Sequence, residues 1–173
     1  GYGKSDGEPN QKGVYQDGMA ALDKAWELHR GRGKFIVVGQ SLGGAVAMRA
    51  IEDFRFRDLI SHIVLDSTFT SYKEVARRIL ARGWITWAFS PLAMILVSDA
   101  YGPENYIKRN KVPLLIIHDR FDPVVPFSAG QEIYEFATSK KDFWTLEQGK
   151  HIGAFHTDNL LLRERFVEYL DIK

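Results

Sequence analysis

The chain has 173 residues, 45% hydrophobic and 26% charged, the balance of an ordinary globular domain long enough to bury a core. Its 23 basic and 22 acidic residues leave a net charge of +1, which offers no basic footprint for nucleic acid and no acidic tail. The absence of cysteine excludes disulfides, thiolate chemistry and cysteine-based metal sites, and fits a reducing, cytoplasmic setting.

The chain opens in a glycine-rich turn, Gly1-Tyr2-Gly3-Lys4-Ser5-Asp6-Gly7, with neither an initiator Met nor the apolar core of a signal peptide. A fragment of a longer protein is expected on that ground. A loop to about Gln11 precedes a helix over 13–29, where Val14, Met19, Leu22, Trp26 and Leu28 recur at helical spacing. Residues 35–38 form a continuous apolar run, read as a buried parallel strand. A small-residue helix follows over 45–54. Further strands are predicted at 63–65, 113–118 and 143–146, and further helices at 127–137 and 160–170. Strands alternating with helices predict an α/β fold: a mostly parallel sheet with helices on both faces. Residues 71–107 form a helical, aromatic-rich insertion carrying Trp84, Trp87, Phe89, Leu92, Met94, Ile95 and Leu96. Its longest apolar stretch, broken by Ser90-Pro91, is too short for the ~20 residues of a membrane span.

Between the first strand and its helix stands Gly39-Gln40-Ser41-Leu42-Gly43. A serine on a tight strand-to-helix turn is held with its hydroxyl exposed, and glycines on both sides relieve collisions with strand and helix. The following helix aims its free N–H groups and positive dipole end at the place where an oxyanion would form, with the Leu42 N–H as first donor. The simpler alternative, Ser41 as a helix N-cap, does not call for glycine on both sides.

After the strand at 113–118 comes His118-Asp119-Arg120-Phe121-Asp122-Pro123-Val124-Val125-Pro126. Here the chain resembles the α/β-hydrolase superfamily, which places its acid in a His-x-x-x-Asp-x-x-Val-Pro segment at a strand end. That resemblance implies Asp122 as the acid. Asp119 is the alternative, read as a turn-capping residue, and Asp66 is a second one, because some members use that strand end. The family order of serine, acid and histidine places the base downstream. His151, in the loop after the last strand, fits it, with His156 as the alternative; His29 and His62 are read as surface residues and His118 as a structural hydrogen-bonder.

The opening Gly-Tyr-Gly-x-Ser-x-Gly stretch and Asp66-Ser67-Thr68-Phe69-Thr70-Ser71 are similar to the Bem46-like branch. In such proteins the opening stretch follows the fourth strand. The resemblance therefore implies that the N-terminal strands, and the loop giving the second oxyanion donor, have no counterpart here. Residues 35–38 would then be an exposed apolar edge, open to self-association. The insertion over 71–107 would be a cap, packed on the body or lining an acyl pocket, with membrane-surface contact as a third option.

The reading as a whole is a serine hydrolase of small ester or acyl substrates, extending to thioesters or amides, with Ser41, Asp122 and His151 as triad. It needs no cofactor, no metal and no nucleic acid. The alternatives are a peptidase of the same fold or a non-catalytic binding protein. The serine at the elbow argues against dehalogenases and epoxide hydrolases, which carry aspartate there.

Overall fold

In the computed structural model, which describes residues 3–82, 97–156 and 159–171, the four apolar runs become the strands of one sheet. Strands β1 (Phe35–Gln40), β2 (Ile60–Asp66), β3 (Leu114–Asp119) and β4 (Lys141–Leu146) lie side by side in chain order, each pair parallel. Parallel neighbours need crossovers. Helices α2 (Leu42–Asp53), α3 (Tyr72–Arg82), α4 (Glu104–Arg109) and α5 (Phe127–Phe136) fall in those connections, while α1 (Gln11–His29) and α6 (Leu160–Tyr169) flank the sheet in sequence.

The side chains of each strand alternate between two apolar layers. Ile63, Leu65, Leu114 and Ile116 face Leu22 of α1, Met48 and Ile51 of α2, and Ile133 of α5. Val64, Leu115 and Ile117 face the other way, with Trp144, Leu146 and Leu162 of α6. Burial on both faces is why the apolar stretches of β2 and β3 read as unbroken runs instead of alternating ones. The α/β class predicted from the sequence is therefore the fold observed.

Register decides where chemistry can sit. Gln40 pairs with Asp66, Asp66 with Ile117, and Asp119 with Leu146, so all four strands finish along one edge. Open α/β sheets bind ligands just outside that carboxyl edge.

Several boundaries differ from expectation. Helix α2 begins at Leu42, directly after Ser41, three residues ahead of the predicted start. Strand β2 begins at Ile60, so His62 lies within the strand, half-buried against Tyr169, and His29 is half-buried too, stacked on Trp26; neither is a free surface residue. In the segment 71–107, expected as a cap, the described helices are α3 and the start of α4, while residues 83–96, with Trp84, Trp87, Phe89, Leu92, Met94, Ile95 and Leu96, lie outside the described residues. Strand β1 is at an edge of the described sheet, its Phe35 buried and its Val38 46% exposed. Among the described residues no helix is long and apolar enough to cross a membrane.

Candidate active site

Ser41 is built into the junction of β1 and α2. Its backbone sits at φ 51°, ψ −124°, a region a non-glycine residue occupies only under constraint. Three hydrogen bonds supply the constraint: Ser41 N–H donates to the Asp66 carbonyl (2.8 Å), and the Ser41 carbonyl accepts from Gly44 N–H (3.0 Å) and Thr68 Oγ1 (3.2 Å). A Cβ on Gly39 would come within 2.5 Å of Gly44 Cα, so strand and helix can cross this closely only without one. The sequence motif points to Gly43 as the matching small residue on the helix. The crowded position is instead Gly44, whose Cβ would overlap Thr68 Oγ1, whereas a Cβ on Gly43 meets no atom among the described residues.

A histidine reaches this serine from 110 residues along the chain. His151 Nε2 lies 2.9 Å from Ser41 Oγ, and its Nδ1 lies 2.8 Å from Asp122 Oδ2. A carboxylate can only accept, so Nδ1 carries the proton and Nε2 is left to accept from the Ser41 hydroxyl. The Asp122 side chain is fully buried, and its other oxygen accepts from the N–H groups of Val124 (2.7 Å) and Val125 (2.9 Å). Burial with two fixed donors holds one carboxylate oxygen on the imidazole.

The alternative residues have other partners. Asp119 Oδ1 accepts from Phe121 N–H (2.8 Å) and Gly149 N–H (3.1 Å), and its Oδ2 from Gln148 N–H (2.6 Å). It therefore caps its own turn and also fastens the loop that carries His151. Asp66 accepts from Gln40 Nε2 (2.9 Å) and Ser67 Oγ (3.2 Å). Burial pushes its carboxyl above the usual carboxylate range, partly offset by those two bonds. His118 is fully buried with Nε2 3.1 Å from the Val125 carbonyl, to which it must donate. Burial pulls His118 below the usual histidine value, so the ring is neutral near pH 7. His156 lies in the loop before α6, where its carbonyl accepts from Asn159 N–H (3.0 Å).

Leu42 is the first residue of α2, so its N–H is one of those the helix's own bonding leaves unpaired. A cavity of about 260 Å³ is lined by Pro9, Asn10, Gln11, Val14, Leu42 and Tyr72. A hollow of about 450 Å³ bordered by Arg57, Asn110 and Val112 belongs to the other end of the sheet, ahead of β2 and β3. The bond from Thr68 had no local signal in the sequence, since it acts on a residue far from it along the chain.

Comparison with known proteins agrees with this architecture. The family model described as alpha/beta hydrolase fold matches residues 1–84. The Escherichia coli K12 protein YfhR is 32% identical over 177 aligned positions, covering 98% of this chain. Schizosaccharomyces pombe protein bem46 is 31% identical over 128 positions and 73% of the chain. The chain belongs to the α/β-hydrolase fold family, in its Bem46-like branch. It spans 57% of the length of YfhR and 40% of bem46. The Pyrococcus furiosus esterase Pf2001 superposes with a TM-score of 0.68 at 23% identity, over 98% of this chain and 64% of its own, a likeness of fold.

Proposed function

We propose that this α/β-hydrolase is a serine esterase in which Ser41 is the nucleophile, His151 the general base and Asp122 the orienting acid. The observation that carries the reading is the unbroken line Ser41 Oγ–His151–Asp122, with contacts of 2.9 and 2.8 Å. Ser41 Oγ attacks the ester carbonyl as Nε2 of His151 takes its proton. The oxyanion develops against the Leu42 N–H and the N-terminus of α2. The imidazolium, stabilised by Asp122, then protonates the departing alkoxide as the C–O bond breaks. Water attacks the acyl-serine with His151 again as base, and the proton returns to Ser41. The cavity beside Leu42 gives an apolar part of a small ester somewhere to lie. The Pyrococcus furiosus protein that shares this fold is an esterase, in keeping with this chemistry. Thioesters and amides would follow the same path.

The test is to expose the full chain to a fluorophosphonate and read intact mass beside Ser41→Ala. Attack by Oγ on phosphorus expels fluoride and leaves one adduct. One adduct in the wild type and none in Ser41→Ala is the expected result. No adduct on a folded sample overturns the reading in favour of a non-catalytic binding protein.

A further inference from the structure

Beside the line of Ser41 and His151 runs a second hydrogen-bonded line, displaced by one residue at each end. Gln40 precedes Ser41, and its Nε2 donates to Asp66 Oδ2 (2.9 Å). Asp66 Oδ1 accepts from Ser67 Oγ (3.2 Å). Ser67 Oγ in turn accepts the backbone N–H of Ile152 (3.3 Å), the residue after His151. The same Asp66 receives a backbone N–H from Ala154, and its carbonyl holds the Ser41 N–H. Asp66 and Ser67 are buried, with relative exposures of 0% and 1%.

The backbone makes this line unusual. Ser67 has φ 53° and Ile152 has φ 52°, so two non-glycine residues in the left-handed region meet across one hydrogen bond. Such conformations persist only where the surroundings over-determine them, and they gather where a side chain must be aimed. Ile152 turns the chain just after His151. Whatever fixes the Ile152 peptide therefore fixes the direction from which the imidazole approaches Ser41.

We propose that Asp66 and Ser67 are positioning residues for His151, holding the base at hydrogen-bonding distance from the nucleophile through the Ile152 N–H. The proposal rests on the triad reading above for its kinetic consequence. Its geometry is independent of that reading. Asp66 fixes the Ser67 hydroxyl, the hydroxyl fixes the Ile152 peptide, and the same Asp66 peptide anchors Ser41. Both reacting groups are thus referred to one buried residue at the end of β2.

The decisive comparison is Ser67→Ala with Ser67→Gly in the full chain. Both delete the hydroxyl, but glycine adopts φ 53° without steric cost, whereas alanine keeps the Cβ. Fluorophosphonate labelling is followed to separate the maximal inactivation rate from the half-saturating concentration. Displacing the base by a fraction of an ångström to one ångström is expected to slow maximal inactivation about 10- to 100-fold in both variants. The half-saturating concentration stays unchanged, since neither variant touches the ligand. A wild-type maximal rate in either variant overturns the proposal, because the hydroxyl is then dispensable. If the wild type itself is not labelled, the esterase reading fails and the His151 Nδ1 proton resonance decides this one. A shifted or lost low-field signal in both variants sustains the positioning role, and an unchanged signal in either ends it.

Discussion

At the scale of single residues, the arrangement turns on which atoms can donate. Asp122 offers one oxygen to the N–H groups of Val124 and Val125 and the other to His151 Nδ1. An asparagine could keep the first pair of bonds through its carbonyl, but would then present an NH₂ group to Nδ1. To accept from it, the imidazole must move its proton to Nε2, which then donates to Ser41 Oγ and can no longer act as base. Asp122→Asn is accordingly expected to fold like the wild type and to lose about 10³- to 10⁴-fold in kcat on a nitrophenyl ester. Steady-state kinetics beside a thermal melt check this. A kcat within tenfold of wild type would show that Asp122 does not set the tautomer.

At the scale of elements, the close crossing of β1 and α2 aims the serine, and its requirements were only partly legible in the sequence. Unbroken apolar runs gave away β2 and β3, because a strand buried on both faces has no polar side to show, whereas β4, with Lys141, Asp142 and the exposed Thr145, was legible only over its apolar end. The elbow was legible for the same local reason, a serine between glycines at a strand end. The elbow also implied a helix beginning just after Ser41, although its first turn shows no helical pattern: Leu42-Gly43-Gly44 has poor helix propensity, and the need to pack against β1 and Thr68 overrides it. Nor could local pattern separate Gly43 from Gly44, since the obstacle is Thr68, more than twenty residues away. The positive φ of Ser67 and Ile152 was hidden likewise, each being imposed by a distant partner. The structure separates the two glycines by experiment. Gly44→Ala would press its methyl into Thr68 and is expected to cost about 1–3 kcal/mol or more. Gly43→Ala enters open space among the described residues and is expected to be neutral or to stabilise by up to about 1 kcal/mol. Urea unfolding of the two variants checks the contrast, and equal midpoints would refute the packing described for the elbow.

At the scale of the whole molecule, the ionisable groups predict how stability responds to acid. His118 is held neutral by burial, with Asp122, Asp66 and His151 as the charged or titratable groups around it, and His62 is lowered by burial and by Lys34 and Lys140. A histidine whose folded value lies below its unfolded 6.5 is protonated first in the unfolded chain. The unfolded state then binds more protons, and stability falls as pH drops below about 6.5. A second loss belongs to Glu74, which its bonds to Arg77 and Arg78 hold down at about 2, so its contribution disappears as pH falls from 4.5 towards that value. That pair is partly exposed, which keeps the contribution small. Asp66 acts in the opposite sense: its raised value means that protonation relieves the folded state, which gains stability as pH falls from that raised value towards 3.8. Two lowered histidines stand against one raised carboxylate, so the net change between pH 7 and pH 5 is expected to follow the histidines. Urea midpoints measured across that interval are expected to fall for the wild type. They should fall less in His118→Gln, whose amide can still donate to the Val125 carbonyl but takes up no proton. An equal fall in both proteins would leave His62, at the opposite end of its strand from Asp66, as the group that senses the acid.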